Sequence, residues 1–321
     1  MMRTDARLQT DLAVAHRLAG TLRDGLMGVL RGKPEPVRLA VIALLSGGHL
    51  LVDDVPGVGK TLLAKAMARA AGGSFRRVQA TPDLLPSELT GVSVFHLAGN
   101  EWEFRPGPLS ANVVLVDELN RATPRTQSAL LEAMEERQVT VDGVTRPLPQ
   151  PFFLVATQNP FETAGTFPLV EGQLDRFTVV TEIGPPDAMT ERELPLGAGG
   201  ESALEALEPL TDPTELAAAI AVVRTVFCTI EVADYTVALT NATRQHGAVA
   251  IGASPRASLA LLHAAQAHAV LEGRDYVVPD DVARLVRPVL AHRLVLRDPG
   301  SLDDARALLD RVLGSVAVPR P

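Results

Sequence analysis

An α/β core built on a parallel sheet, with a smaller helical domain behind it, is expected of this chain on three observations. A glycine-rich loop, Asp54-Val55-Pro56-Gly57-Val58-Gly59-Lys60-Thr61, joins the apolar run Leu50-Leu51-Val52 to a helical pattern opening near Leu62. Val113-Val114-Leu115-Val116 is continuously apolar, as a strand buried on both faces of a parallel sheet must be. Residues 213–321 carry helical periodicity almost throughout.

In chain order, Leu12, Val14, Leu18, Leu22, Leu26 and Leu30 predict a helix over 4–31, stopped by Pro34 and Pro36. A second helix is expected over 37–45, closed by Gly47-Gly48. The strand at 50–53, the loop and a helix over 62–71 follow, then a short strand over 75–79. Residues 81–110 are proline-rich, with β-like runs at 92–95 and 102–104 around Ala98-Gly99-Asn100, a small hairpin. Thr123-Pro124 reads as cap and first residue of a helix to about Arg137. Asp142-Gly143 between β-branched arms specifies a tight hairpin over 139–146. Strands are expected at 152–156 and 177–180, the latter ended by Gly184-Pro185-Pro186. Gly197, Gly199 and Gly200 mark a flexible connection over 191–212, dividing a first domain, 1–190, from a helical domain, 213–321. Helices are expected there at 214–227, 233–246, 255–272, 279–291 and 301–314, the last two with acids in their first turns.

Apolar residues at 46% argue for a packed core and against disorder, and aromatics at 4% make that core aliphatic. A formal charge of −8 disfavours a dedicated nucleic-acid binder. Cys228, the single cysteine, excludes an intrachain disulfide and is expected as a buried thiol. No secretory leader is expected, because Arg3, Asp5, Arg7 and Asp11 precede any apolar run. The most apolar stretch, 39–52, is broken by Ser46-Gly47-Gly48-His49, so no membrane insertion is expected. These features suit a soluble cytoplasmic protein. His263 and His268 do not share a helix face, and no metal cluster is expected.

The loop is built for phosphates. Backbone N–H groups of Val55 and of Gly57 through Leu62 can point at an anion where the helix begins, Pro56 between them having none to give. Lys60 can reach β- and γ-phosphates, and the Thr61 hydroxyl can ligate Mg²⁺. Asp54 stands where such loops open on glycine; aspartate tolerates the backbone, but its carboxylate must point away from the phosphates. Asp117-Glu118 ends the apolar run 113–116, at the sheet edge beside the loop. Asp117 is expected to hold Mg²⁺, and Glu118 to polarise the attacking water. Asn159, at the tip of the strand after Phe152, is the candidate to hold that water or the γ-phosphate.

These residues resemble the MoxR type of AAA+ ATPase, within the P-loop NTPases. The resemblance is carried by Val55-Pro56-Gly57-Val58-Gly59-Lys60-Thr61-Leu62-Leu63-Ala64, Thr81-Pro82-Asp83-Leu84-Leu85-Pro86-Ser87, and Phe104-Arg105-Pro106-Gly107-Pro108. Asp117-Glu118-Leu119-Asn120-Arg121-Ala122, Gln127 through Glu136, Ala156-Thr157-Gln158-Asn159-Pro160, Gln173-Leu174-Asp175-Arg176-Phe177 and Gly252-Ala253-Ser254-Pro255-Arg256 continue it. It covers about residues 35–320. It implies a five-stranded parallel sheet of order 5-1-4-3-2 with a C-terminal α-helical lid. It implies ATP/ADP and Mg²⁺ as ligands and a homo-oligomeric ring, a hexamer. Arg176 resembles the arginine finger that reaches the neighbour's γ-phosphate, and Arg256 resembles the sensor 2 arginine of the lid. Residues 81–110 resemble the helix-2 insert and 138–150 the pre-sensor 1 hairpin, elements that face the pore and client in related rings. Family members act as chaperone-like ATPases, with von Willebrand factor A domain proteins among their partners. Val29 through Glu35 match the family's adenine-side segment only in part. Arg121 is either an inter-subunit contact or a surface residue. Trp102 reads most simply as packed within its hairpin, and Glu132, Glu135 and Glu136 as a solvated acidic face. A magnesium chelatase subunit, a nucleotide-gated scaffold with negligible hydrolysis and a DNA helicase-like motor are the alternative readings.

Overall fold

The computed structural model describes residues 2–160, 165–193, 199–298 and 300–319. Helix α1 (Met2–Val29) buries Leu12, Leu18, Leu22 and Leu26, and Pro34 opens α2 (Pro34–Leu45), which is buried nearly all round. Strand β1 (Leu50–Asp53) leads into the loop and α3 (Lys60–Ala70). This helix starts two residues earlier than its pattern suggests, because Gly59 at φ 101° turns the chain straight into it. Next come β2 (Phe75–Gln79), the short α4 (Pro86–Thr90), and the hairpin β3 (Gly91–His96) and β4 (Glu101–Pro106). Strand β5 (Val113–Asp117) is fully buried; a 3-10 turn over Leu119–Arg121 and α5 (Pro124–Glu136) follow it. A second hairpin, β6 (Gln138–Val141) and β7 (Val144–Pro147), turns at Asp142-Gly143. Strand β8 (Phe153–Gln158), α6 (Glu171–Leu174) and β9 (Val179–Thr181) complete the core.

The central sheet is parallel in the order β2-β5-β8-β1-β9. Counting only its five strands along the chain, this is 5-1-4-3-2. Its side chains alternate between two apolar layers. Leu50, Val52, Val113, Leu115 and Val155 face α1, α2 and α3, while Leu51, Val114, Val116, Leu154 and Ala156 join the layer that holds Leu130, Leu131 and Met134 of α5.

After α7 (Ala188–Glu193), residues 194–198, with Gly197, lie outside the described residues. The rest of the connection contains α8 (Gly200–Ala206), which packs on α1 and α3. Arg69 of α3 donates to the carbonyls of Glu205 and Leu207, and Lys65 pairs with Glu201 at 3.1 Å. Periodicity missed α8 because the helix is short and opens on glycine. The C-terminal helices are α9 (Pro213–Val223), α10 (Ile230–Gln245), α11 (Pro255–Leu271), α12 (Pro279–Leu290) and α13 (Leu302–Ser315). Asp212, Thr229, Ser254 and Ser301 cap α9, α10, α11 and α13 with their side chains. Helix α9 stops at Val223, short of the expected 227, because Phe227 bridges to Tyr276. Two short strands, β10 (Val249–Ile251) and β11 (Val295–Leu296), pair within this part. Helices α9 and α11 pack on α1 and α2, and α12 packs on β9. No helix among the described residues is long and apolar enough to cross a membrane.

Candidate functional site

The sheet edge where β1, β5 and β8 end carries a cavity of about 320 Å³. Pro56, Gly57, Gly59, Lys60, Thr61 and Leu62 form one wall. Asp117 and Glu118 from the end of β5, with Asn159 past β8, form the other. Gly57 (φ 87°) and Gly59 (φ 101°) hold backbone that a side chain would strain, which is why the loop can bend around an anion. The Lys60 ammonium donates to the carbonyls of Asp54 and, at 3.1 Å, Gln158. Burial pulls its pKa below the usual lysine range, against the opposing pull of Asp54, Asp117, Asp53 and Glu118.

Asp54 is turned away from the cavity. One carboxylate oxygen accepts from the Val55 N–H at 2.7 Å, and the other accepts from Ile183 and Gly184 N–H, both at 2.7 Å. The residue that replaces the opening glycine is thus a clamp between the loop and the chain leaving β9. Val58 packs toward the core, and Val55 is partly exposed at the loop's start.

The acid pair is held by groups that motif reasoning did not name. Gln79 lies opposite Asp117 in the β2–β5 register. Its amide donates to Glu118 at 2.8 Å, and Arg77 Nε donates to Asp117 at 2.6 Å. Thr157 donates to Asp117 at 3.3 Å and accepts from the Glu118 N–H at 3.0 Å. Glu118 takes a left-handed backbone (φ 57°), an arrangement common at functional sites and costly elsewhere. Arg121 pairs with Glu118 at 3.2 Å within the same chain. Glu201 of α8 also lines the cavity. The only signal for Arg77 and Gln79 was a strand with polar residues at its tip, beside one ending in two acids. Thr61 and Asp117 offer the hard oxygen donors that Mg²⁺ prefers.

Arg176 and Arg256 are not at this cavity. Arg176 precedes β9, whose Val179 pairs with Leu50 at the start of β1, whereas the loop leaves the end of β1. A four-residue strand spans ~13 Å, so the two arginines sit at the opposite edge of the sheet. They line a second cavity there, and both bind Glu135 of α5: Arg176 at 2.9 Å, and Arg256 through Nη2. Arg256, expected as a nucleotide contact, therefore makes none with its own chain's loop. Glu135 is thus exposed, as a solvated acid would be, but paired with two arginines. Burial raises its pKa, but the charges of Arg256 and Arg176 outweigh burial and hold it below the usual range. Asp175 instead pairs with the buried Arg293 of the helical part and accepts from Ser254.

A phosphate-binding loop, an acid pair and a sheet of this strand order define a P-loop nucleotide hydrolase with a helical lid. Residues 49–179 match the ATPase family associated with various cellular activities (AAA), and residues 241–311 match the AAA lid domain. The chain is 40% identical over 307 residues to chaperone MoxR1 of Mycobacterium tuberculosis, covering 91% of this chain and 80% of that one. It is 33% identical to protein MoxR of Paracoccus denitrificans, over 92% of this chain and 94% of that one. A crystal structure of a candidate ATPase from Cytophaga hutchinsonii superposes with a TM-score of 0.87 at 30% identity, covering 100% of both chains. The chain belongs to the MoxR family of AAA+ ATPases.

Proposed function

We propose that the chain forms a ring, a hexamer, in which each ATP lies between two subunits and turnover remodels or assembles protein clients. The observation that carries this reading is the split site. Phosphate loop and acids share one cavity, while Arg176 and Arg256 face outward at the other edge of the sheet. An arginine there is far from its own chain's loop and suits a nucleotide held by another copy.

In this reading the loop N–H groups and Lys60 clasp the phosphates, and Lys60 exchanges its backbone carbonyls for phosphate oxygens. Thr61 and Asp117 hold Mg²⁺, which neutralises phosphate charge when bound. Glu118, released from Gln79, orients the attacking water and takes its proton, and Asn159 fixes that water's position. Arg176 and Arg256 leave Glu135 to stabilise charge on the neighbour's γ-phosphate. Residues 1–190 act as the ATPase body. Hydrolysis moves the lid, 213–321, against that body, and the connection's α8 rests on α3 beside the phosphate loop. The hairpin β3–β4 exposes Leu97 (88%) and Trp102 (70%), an apolar tip suited to an unfolded or partner segment. The name of the mycobacterial relative supports a chaperone role, and a von Willebrand factor A domain protein fits as partner.

Turnover per subunit is expected to rise with protein concentration. Glu118→Gln should retain ATP and lose at least ~100-fold in turnover. Undiminished turnover by a strictly monomeric Arg176→Ala chain would exclude the shared site.

A further inference from the structure

The second cavity, about 290 Å³, is lined by five arginines: Arg137, Arg176, Arg224, Arg256 and Arg293. Two carboxylates lie among them. Glu135 serves Arg176 and Arg256, and Asp175 serves Arg293. Five positive charges less two negative leave three uncompensated. His49 adds none near neutrality: burial, with the Arg137 charge, lowers its pKa to about 3.

Arg137 and Arg224 carry most of the excess, since no carboxylate among the described residues pairs with either. Both lean on one backbone turn instead. Arg137 Nη2 donates to the Gly47 carbonyl, and Arg224 Nη2 to the Ser46 carbonyl at 3.5 Å. Gly47 lets them converge: a Cβ there would stand 3.1 Å from the Arg224 guanidinium. Burial, and secondarily the Arg224 charge, hold the Arg137 pKa below the usual arginine range. Two like charges meeting over neutral carbonyls are unfavourable until an anion joins them.

We propose that Arg137 and Arg224 complete a polyphosphate site, holding the phosphate tail of the neighbouring subunit's nucleotide beside Arg176 and Arg256. The inference rests on the shared-site reading above and adds two residues to it. Guanidinium forks suit phosphate oxygens, and a polyphosphate supplies charge and acceptors for several forks at once, which a single carboxylate does not. Arg293 stays structural, since Asp175 and the carbonyls of Val289 and Phe177 occupy its donors.

The test uses the full chain carrying Lys60→Ala, whose own loop no longer clasps phosphate, titrated with inorganic tripolyphosphate by calorimetry. One binding site is expected. Arg224→Gln, an exposed change, weakens binding at least ~10-fold, and Arg224→Lys weakens it less. Arg137→Lys, which keeps the charge in the half-buried position, weakens it by loss of the fork. Absence of binding, or binding indifferent to Arg224→Gln, overturns the inference. Subunit mixing separates it from the shared site. Lys60→Ala chains mixed with Arg176→Ala chains regain turnover if sites are shared; without that rescue the ring reading falls, and this inference with it. Rescue that drops ~10-fold when the Lys60→Ala chain also carries Arg224→Gln supports the inference. Rescue that withstands the change refutes it.

Discussion

Asp54 shows how one side chain can reverse its apparent meaning. Beside phosphates a carboxylate would repel the ligand, yet both its oxygens are spent on three backbone N–H groups, two of them in the chain leaving β9. Asp54→Gly would restore the usual loop sequence and strand the Ile183 and Gly184 donors. The expected result is a loss of about 2 kcal/mol in urea unfolding, the cost of unsatisfied buried donors, with ATP binding retained. Loss of ATP binding without loss of stability would show that the clamp is misread. Asp117 and Glu118 were legible as a motif because their chemistry needs a strand tip beside the loop. Arg77, Gln79 and Thr157 were not, because only the lateral order of strands brings them to the acids.

Two elements, the C-terminal end of α5 and the N-terminal start of α11, meet through Glu135. Arg176, expected as an arginine finger, and Arg256, expected as the lid's sensor 2 arginine, are held there by one carboxylate of their own chain. Because the Glu135 pKa is lowered on folding, its pairing contributes in full above the usual carboxylate range and is lost only as pH falls below that range, through the folded value. Glu135→Gln should free both guanidiniums and let turnover reach its plateau at lower protein concentration. An unchanged concentration dependence would show that the contact does not compete with assembly. The β3–β4 hairpin shows a second correction. Trp102 touches Phe95 at a centroid distance of 5.1 Å but is largely exposed. As the single tryptophan, its fluorescence should be that of a solvated indole, readily quenched by iodide. Strong protection in the chain alone would contradict this placement.

The lid coheres through its own polar core as well as its apolar contacts. Asp281 is 1% exposed and accepts from Arg274 at 2.7 and 2.5 Å, from the Val278 N–H at 2.8 Å, and contacts His268 at 2.6 Å. Burial alone would raise its pKa, but the hydrogen bonds from Arg274 and His268 lower it to about 2. A carboxylate depressed on folding stabilises the fold above its unfolded pKa of ~3.9 and loses that contribution as pH falls toward the folded value. The contribution at neutral pH is on the order of 2 kcal/mol. It should fade between about pH 5 and 2, and Asp281→Asn should flatten that part of the stability profile. An unaltered profile in the variant would show that the network contributes little. Arg293 fastens this lid to the chain entering β9, through Asp175 and the Phe177 carbonyl. The lid is therefore tied to the residue next to Arg176.

Residue pattern alone determined the phosphate loop, the acid pair, the strand tips and the two hairpins. Each depends on local chemistry: glycine at positive φ, apolar runs that only a buried strand can use, Asp-Gly at a tight turn. Side-chain caps such as Ser254 before α11 were legible for the same reason. The meeting of Arg256 with Glu135 was not, nor was the partnership of Asp54 with Ile183 and Gly184. Those depend on strand order and on how the lid wraps the β9 edge, contacts between residues more than 100 apart in the chain. The phosphate loop thus announces nucleotide chemistry by itself, but only the folded chain shows that Arg176 and Arg256 line a separate cavity at the sheet edge opposite that loop.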